Sequence, residues 1–142
     1  MEQRKQDLIK YRIDRSKETA EEAEIALAHN KLRLAENRIY YAMFYIVNAL
    51  SIVKDFSTSK HSTLKGWFNK TFVATGEIDT QFYKIYNRAF DKRQEGDYDD
   101  FVTFETVEVV EDIKRMKTFL QTMENFIDKQ LITKKSPNSD TT

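Results

Sequence analysis

The sequence predicts an all-α protein, an antiparallel up-and-down bundle of five helices, four long and one short. Three observations predict it. Only 3 Gly and 1 Pro occur in 142 residues, the proline at position 137, whereas an all-β chain of this length needs many turns and uses both freely. Apolar side chains recur at helical spacing over most of the sequence. The breaks between these segments are short, as they are where antiparallel helices follow one another. The length suits one domain, spanning 1–131, and the 10 Phe, 7 Tyr and 1 Trp supply large side chains for a single core.

The first helix is expected from about Arg4 to His29, with Ala20, Ala23 and Leu27 on one stripe and Glu18, Glu21, Glu22 and Glu24 as a solvated face. Asn30-Lys31 breaks it. The second runs from about Lys31 to Phe56 and carries two apolar stripes, Ala35/Ala42/Tyr45/Ala49/Ile52 and Ile39/Met43/Ile46/Leu50/Val53. A helix apolar around most of its circumference is packed on several sides, and its alanines let neighbours approach closely. Ser57-Thr58-Ser59 then interrupts the pattern, with Ser59 as N-cap of a short third helix reaching Thr75 and Gly76 ending it. Asp79 caps the fourth helix, and Ile78 with Tyr83 forms a hydrophobic staple. Gly96 is read as its stop and 97–102 as an acidic, aromatic loop. Thr103 is the expected cap of the fifth helix, with Val102 and Val107 as its staple and Val110, Ile113, Met116, Leu120, Met123 and Ile127 as its core face. Residues 132–142 read as a disordered polar tail.

Composition excludes several classes of function. Lys plus Arg and Asp plus Glu both total 23, so the formal net charge is zero. Nucleic-acid binding therefore has to use a local basic patch. The absence of cysteine removes disulfides, thiolate metal sites and thiol nucleophiles, and fits a cytoplasmic protein. The charged start lacks an apolar signal segment. The Ile39–Val53 stretch is too short and too interrupted to span a bilayer, so no membrane is expected. Three scattered glycines make no phosphate loop. Neither His29 nor His61 has a Glu three residues before it, and His-Glu-x-x-His is absent, so no metal or other cofactor is expected.

Two stretches stand out. One holds Arg38-x-Tyr40-Tyr41-Ala42 and runs on to Lys60-His61; the other is Arg93-x-x-Gly96-Asp97-Tyr98. Arginine, tyrosine and histidine gathered this way can bind phosphate: arginine matches its oxygens, and a helix start such as Lys60-His61 offers backbone N–H groups. A plainer reading stands beside each. Arg93 also suits the carboxyl end of the fourth helix, paired with Asp97 while Tyr98 packs on the bundle end. Arg38 is either phosphate-facing beside Tyr41 and Arg93, or paired with Asp97 or Glu36, or exposed. Lys60 and His61, with Lys65 and Lys70, form a small basic patch or a solvated helix start. Trp67 and Phe68 read as core or interface.

In these motifs, their order and their spacing from about Lys5 to Ile127, the chain resembles the HEPN domains (higher eukaryotes and prokaryotes nucleotide-binding), in particular the small stand-alone prokaryotic branch. The resemblance implies a helical bundle that forms homodimers and works beside a minimal nucleotidyltransferase as a toxin–antitoxin-like pair. Catalytic members are metal-independent RNases in which an Arg is followed after four to six residues by a His. Arg93 matches that Arg, but Asp97-Tyr98 stands where the His belongs. The expectation is therefore a module that binds a nucleotide or RNA through Arg38, Tyr41, Lys60, His61, Arg93, Asp97 and Tyr98. The alternatives are an RNase toxin with an atypical motif and a purely structural dimer. In some members the partner enzyme modifies a Tyr near this motif, and Tyr98 is the matching position.

Overall fold

The computed structural model describes residues 2–140, with side chains described through 132. Five α-helices follow one another: α1 Gln3–Ala28, α2 Leu32–Val53, α3 His61–Phe68, α4 Thr80–Tyr98 and α5 Thr106–Asp140. A π-helical turn, Asn69–Val73, extends α3. No strand occurs among the described residues, and the all-α bundle predicted above is the fold. The expected polar tail falls largely on residues whose side chains lie outside the described set.

The central helix is α2, which packs on α1, α3, α4 and α5. Both of its predicted stripes contribute to the core: Ala35, Ile39, Ala42, Met43, Ile46, Ala49, Leu50 and Val53 are buried. Burial of each large side chain contributes about 1.5–3 kcal/mol. The most extensive helix–helix contact is that of α1 with α2, and the side chains that α1 buries include the small ones of Ser16, Thr19, Ala23 and Ala26. The Thr19 hydroxyl is satisfied within its own helix by donating to the Arg15 carbonyl at 2.7 Å. The reversal after α1 places Asn30 at φ 57, a left-handed conformation that Asn tolerates better than most residues.

Three predicted boundaries are corrected. Ser59 is not the cap of α3: the helix starts at His61, and Lys60 N–H donates to Thr58 Oγ1 instead. Gly96 does not stop α4, which continues to Tyr98. Its carbonyl accepts from the Arg33 guanidinium, so a tertiary donor takes the role that a left-handed glycine turn would have filled. Thr103 is not the cap of α5, which begins at Thr106, and Val107 is exposed rather than stapled. The core stripe of α5 is rotated slightly from the expected one. Val109 and Phe119 are buried where Val110 and Leu120 were expected, alongside Ile113, Met116, Met123 and Ile127. Two boundaries match: Asp79 caps α4 by accepting from Gln81 N–H at 2.9 Å, and Gly76 turns at φ 84.

Candidate functional site: an arginine–tyrosine–histidine cluster

The middle of α2, the start of α3 and the last turns of α4 converge on one cluster. Arg93 reaches across from α4 with its guanidinium carbon 5.0 Å from the centre of the Tyr40 ring and 5.6 Å from that of Tyr41. Its Nη1 donates to the Tyr41 hydroxyl at 3.2 Å and lies 3.5 Å from Asp97, one helical turn on. Contacts with aromatic faces hold a cation without neutralising it. The Arg93 side chain is 13 % exposed, against 37 % for Asp97. Such a half-exposed ion pair is weak, so a phosphate, which accepts two parallel N–H bonds from a guanidinium, can displace the carboxylate.

His61 enters from the first residue of α3. Its Nδ1 lies 2.8 Å from the Tyr40 hydroxyl, and its ring stacks on Phe44 with centroids 4.3 Å apart. Tyr40, which sequence reasoning had not selected, is therefore the hub of the cluster. It is fully buried, covered by Arg93 and bonded to His61. Burial, together with the charge of Arg93, pushes the His61 pKa below its usual value of 6.5, so the ring is neutral at pH 7. Burial also pushes the Tyr40 phenol well above 10, against the opposing pull of Arg93, so Tyr40 keeps its proton. The phenol can donate or accept, so it anchors His61 whichever ring nitrogen is protonated.

Arg38 lies at the edge. Its guanidinium carbon is 5.3 Å from the centre of the Tyr41 ring, and it pairs with Glu22 of α1 at 3.2 Å and with Asn37. Neither Asp97 nor Glu36 is its partner. Lys60 is exposed beside His61 at the N-cap of α3. Lys65 does not join a basic patch with it: its ammonium sits 4.2 Å from the centre of the Phe90 ring and donates to Asn87. Tyr98 stands apart from the cluster and is 80 % exposed rather than packed on the bundle end. Trp67 stacks on Phe56 with centroids 5.0 Å apart, and Phe68 is core. The Arg–Tyr–His cluster thus joins Tyr41, His61, Arg93 and Asp97, with Arg38 as a neighbour.

A second polar group, also missed from sequence, lies in the core between α2, α4 and α5. Glu36 is 1 % exposed, and Lys92 lies 3.8 Å from it. Asp112 accepts from Arg88 Nε and Arg115 Nη1, both at 2.9 Å. Burial, and then the hydrogen bond and charge of Asp112, push the Glu36 carboxyl up to about 9. Burial pushes the Asp112 carboxyl upward too, but the hydrogen bond from Glu36 and the bond to Arg88 hold it below its usual range. A proton on Glu36 shared with Asp112 satisfies oxygens of both groups that otherwise have no donor. The pair links α2 to α5. Among the described residues no group of His, Asp and Glu is arranged to hold a metal ion, and no helix is long and apolar enough to cross a membrane.

Known proteins are similar to this chain along most of its length. The HEPN domain matches residues 9–131. A UPF0332 protein of Thermotoga maritima is 40% identical over 124 residues, covering 87% of this chain and 94% of that protein. A Methanocaldococcus jannaschii protein named "Putative toxin MJ0142" is 30% identical over 128 residues, covering 89% of this chain and 87% of its own length. With a bundle of this architecture and a domain match over more than four-fifths of its residues, the chain belongs to the HEPN domain family.

Proposed function

We propose that this chain is a toxin-like HEPN module that binds the phosphate of a nucleotide or RNA at the Arg93–Tyr41–His61 cluster, and that it works with a minimal nucleotidyltransferase as a toxin–antitoxin-like pair. The observation that carries the reading is the setting of Arg93. It is anchored on two tyrosine rings and one tyrosine hydroxyl, and the carboxylate it pairs with, Asp97, is 37 % exposed and displaceable. Lys60 and Arg38 flank it with further positive charge. The toxin named among the relatives supports a paired system, since a toxin needs a partner that restrains it. Tyr98, 80 % exposed at the end of the same helix, is open to modification by such a partner.

The test is a titration of the full chain with ATP and with a short single-stranded RNA. Binding is expected, and Arg93→Gln should weaken it by about tenfold or more, the worth of a charge-assisted bidentate contact. No binding, or equal binding by the variant, overturns the reading.

One observation favours a second reading, an RNase with an atypical motif. The family's adjacent His is missing, yet the fold brings His61 from α3 to the same tyrosine that Arg93 covers. A neutral imidazole can exchange a proton with a ribose hydroxyl while the guanidinium stabilises phosphate charge. RNA cleavage that persists in chelator and is lost in His61→Ala would select this reading over binding alone.

A further inference from the structure

The seam between α1 and α2 carries a line of arginines and tyrosines that leads away from the Arg93 cluster. Along the α2 edge, Arg38, Tyr41, Tyr45 and Asn48 recur at helical spacing, and all four are partly buried. The antiparallel register against α1 is fixed by Glu22 on Arg38, Arg15 on Tyr45 and Lys5 on Asp55, which puts Arg12 level with Asn48. The setting of Arg15 repeats that of Arg93. Its guanidinium carbon lies 4.9 Å from the centre of the Tyr45 ring, and its Nη2 donates to the Tyr45 hydroxyl at 3.3 Å. Its carboxylate partner, Glu18, is 3.4 Å away and one helical turn on. The Tyr41 and Tyr45 rings are themselves neighbours, with centroids 6.0 Å apart.

The charges on this line are unequally exposed. The side chains of Arg93, Arg38 and Arg15 are 13 %, 24 % and 27 % exposed, whereas those of their partners Asp97, Glu22 and Glu18 are 37 %, 43 % and 63 % exposed. Tyrosine faces hold the guanidiniums in place without neutralising them. The better-solvated carboxylates make ion pairs weak enough to exchange for another anion. At the far end, Arg12 makes no ion pair among the described residues. Its Nε is buried without an acceptor, as Asn48 Oδ1 is without a donor. Arg12 is therefore a cation in want of a counter-charge.

We propose that this seam is a track for a single-stranded nucleic acid, in which Arg15 with Tyr45, and then Arg12, take successive phosphates beyond the one at Arg93. The inference rests on the phosphate reading of the Arg93 cluster and adds residues that lie outside both sequence motifs. The chain has no net charge, so a local line of cations of this kind is what binding a strand requires. The interleaving selects the ligand. Guanidiniums alone would suit any polyanion. Tyrosine faces alternating with them offer stacking to bases between the phosphate contacts, which a plain acidic peptide does not use. A mononucleotide does not extend along the line, so strand length becomes the property that the protein reads.

The test is binding by the full chain of ATP, of a single-stranded RNA of about 12 nucleotides and of DNA of the same sequence. The strand should bind more tightly than ATP. Arg15→Gln, Arg12→Gln and Tyr45→Leu should each weaken the strand by about tenfold and leave ATP unchanged. Each arginine variant should also flatten the slope of log affinity against log salt by about 0.7, the signature of one lost phosphate of a single strand. Arg12→Gln alters a side chain with no ion pair, so it keeps the test valid if circular dichroism shows that the other two variants lose helix. Dependence on Arg12 and Arg15 with either strand supports the track, and RNA against DNA identifies its source. A strand bound no better than ATP, a strand indifferent to both arginine variants, or poly-glutamate bound as tightly as the strand would each overturn the proposal. Arg93→Gln separates the two readings. If it weakens ATP while the strand ignores Arg12 and Arg15, the phosphate site remains and the track is removed. If the strand depends on Arg15 and not on Arg93, the track remains and the phosphate site is removed.

Discussion

The Tyr40 hydroxyl and His61 Nδ1 lie 2.8 Å apart, although the two residues belong to different helices and only Tyr40 is fully buried. The bond ties the short, otherwise uncapped start of α3 to the central helix. It also fixes the imidazole beside Arg93, which lowers the His61 pKa together with burial.

Titration of the His61 ring by NMR should therefore give a midpoint below 6.5, and Arg93→Gln should raise it, because one of the two causes is removed. The linkage follows directly. Below pH 6.5 the unfolded chain binds a proton that the folded chain resists, so stability present above that pH is lost as the pH falls through it toward the folded midpoint. A midpoint at 6.5 or above in the wild type, or no upward movement in the variant, would contradict the assigned environment.

The helix order and the central role of α2 were legible because burial on several sides leaves two apolar stripes, and those stripes are local patterns. The Arg93–Asp97 pairing was legible for the same reason, being one helical turn apart. What was not legible depends on contacts distant in sequence. Gly96 reads as a stop until Arg33, 63 residues earlier, is seen to donate to its carbonyl. Tyr40 belongs to the Arg38-x-Tyr40-Tyr41-Ala42 motif, but its place at the centre of the cluster shows only once α4 lays Arg93 over its ring and α3 brings His61 to its hydroxyl. Glu36 gave a faint signal, a carboxylate between Ala35 and Ile39 on the buried side, but its partner Asp112 lies on another helix.

Glu36 makes the stability of the protein depend on pH in the alkaline direction. Its carboxyl is raised from 4.5 to about 9 in the folded chain. Between those values the folded chain keeps a proton that the unfolded chain has released, so stability falls as pH rises, by at most about 1.4 kcal/mol per pH unit. Glu36→Gln supplies a permanent N–H donor to Asp112 and removes the titration. Urea unfolding at pH 5, 7 and 8.5 should show a flatter profile in Glu36→Gln, with the variant gaining on the wild type as pH rises. A parallel pair of profiles would mean that Glu36 is ionised in the fold.

Arg33 should matter more than a half-exposed arginine usually does. Its hydrogen bonds to three main-chain carbonyls satisfy the end of α4 and the turn that follows, where the helix dipole also favours a cation. Arg33→Met keeps the aliphatic stem against Gly96 and removes the donors. The expected loss is about 1–3 kcal/mol, with faster amide hydrogen exchange confined to residues 97–104. Unchanged exchange there would show that the turn holds its shape without Arg33.

Two glycines separate conformational need from spatial need. Gly76 sits at φ 84 with nothing within 4 Å of a added Cβ, so Gly76→Ala meets no neighbour but strains the backbone. It should cost about 1–2 kcal/mol, the left-handed penalty for an L-residue. Gly96 lies inside α4 without a positive φ. A Cβ there would meet Phe104 at 3.4 Å and Arg33 at 3.5 Å, both ordinary contacts. Gly96→Ala should therefore be neutral or gain up to about 1 kcal/mol from helix propensity. Thermal unfolding of the two variants should move the midpoint in opposite directions or leave the Gly96 variant unchanged. A Gly96→Ala protein destabilised as much as Gly76→Ala would contradict this, and would mean that the contacts with Phe104 and Arg33 are closer than ordinary packing.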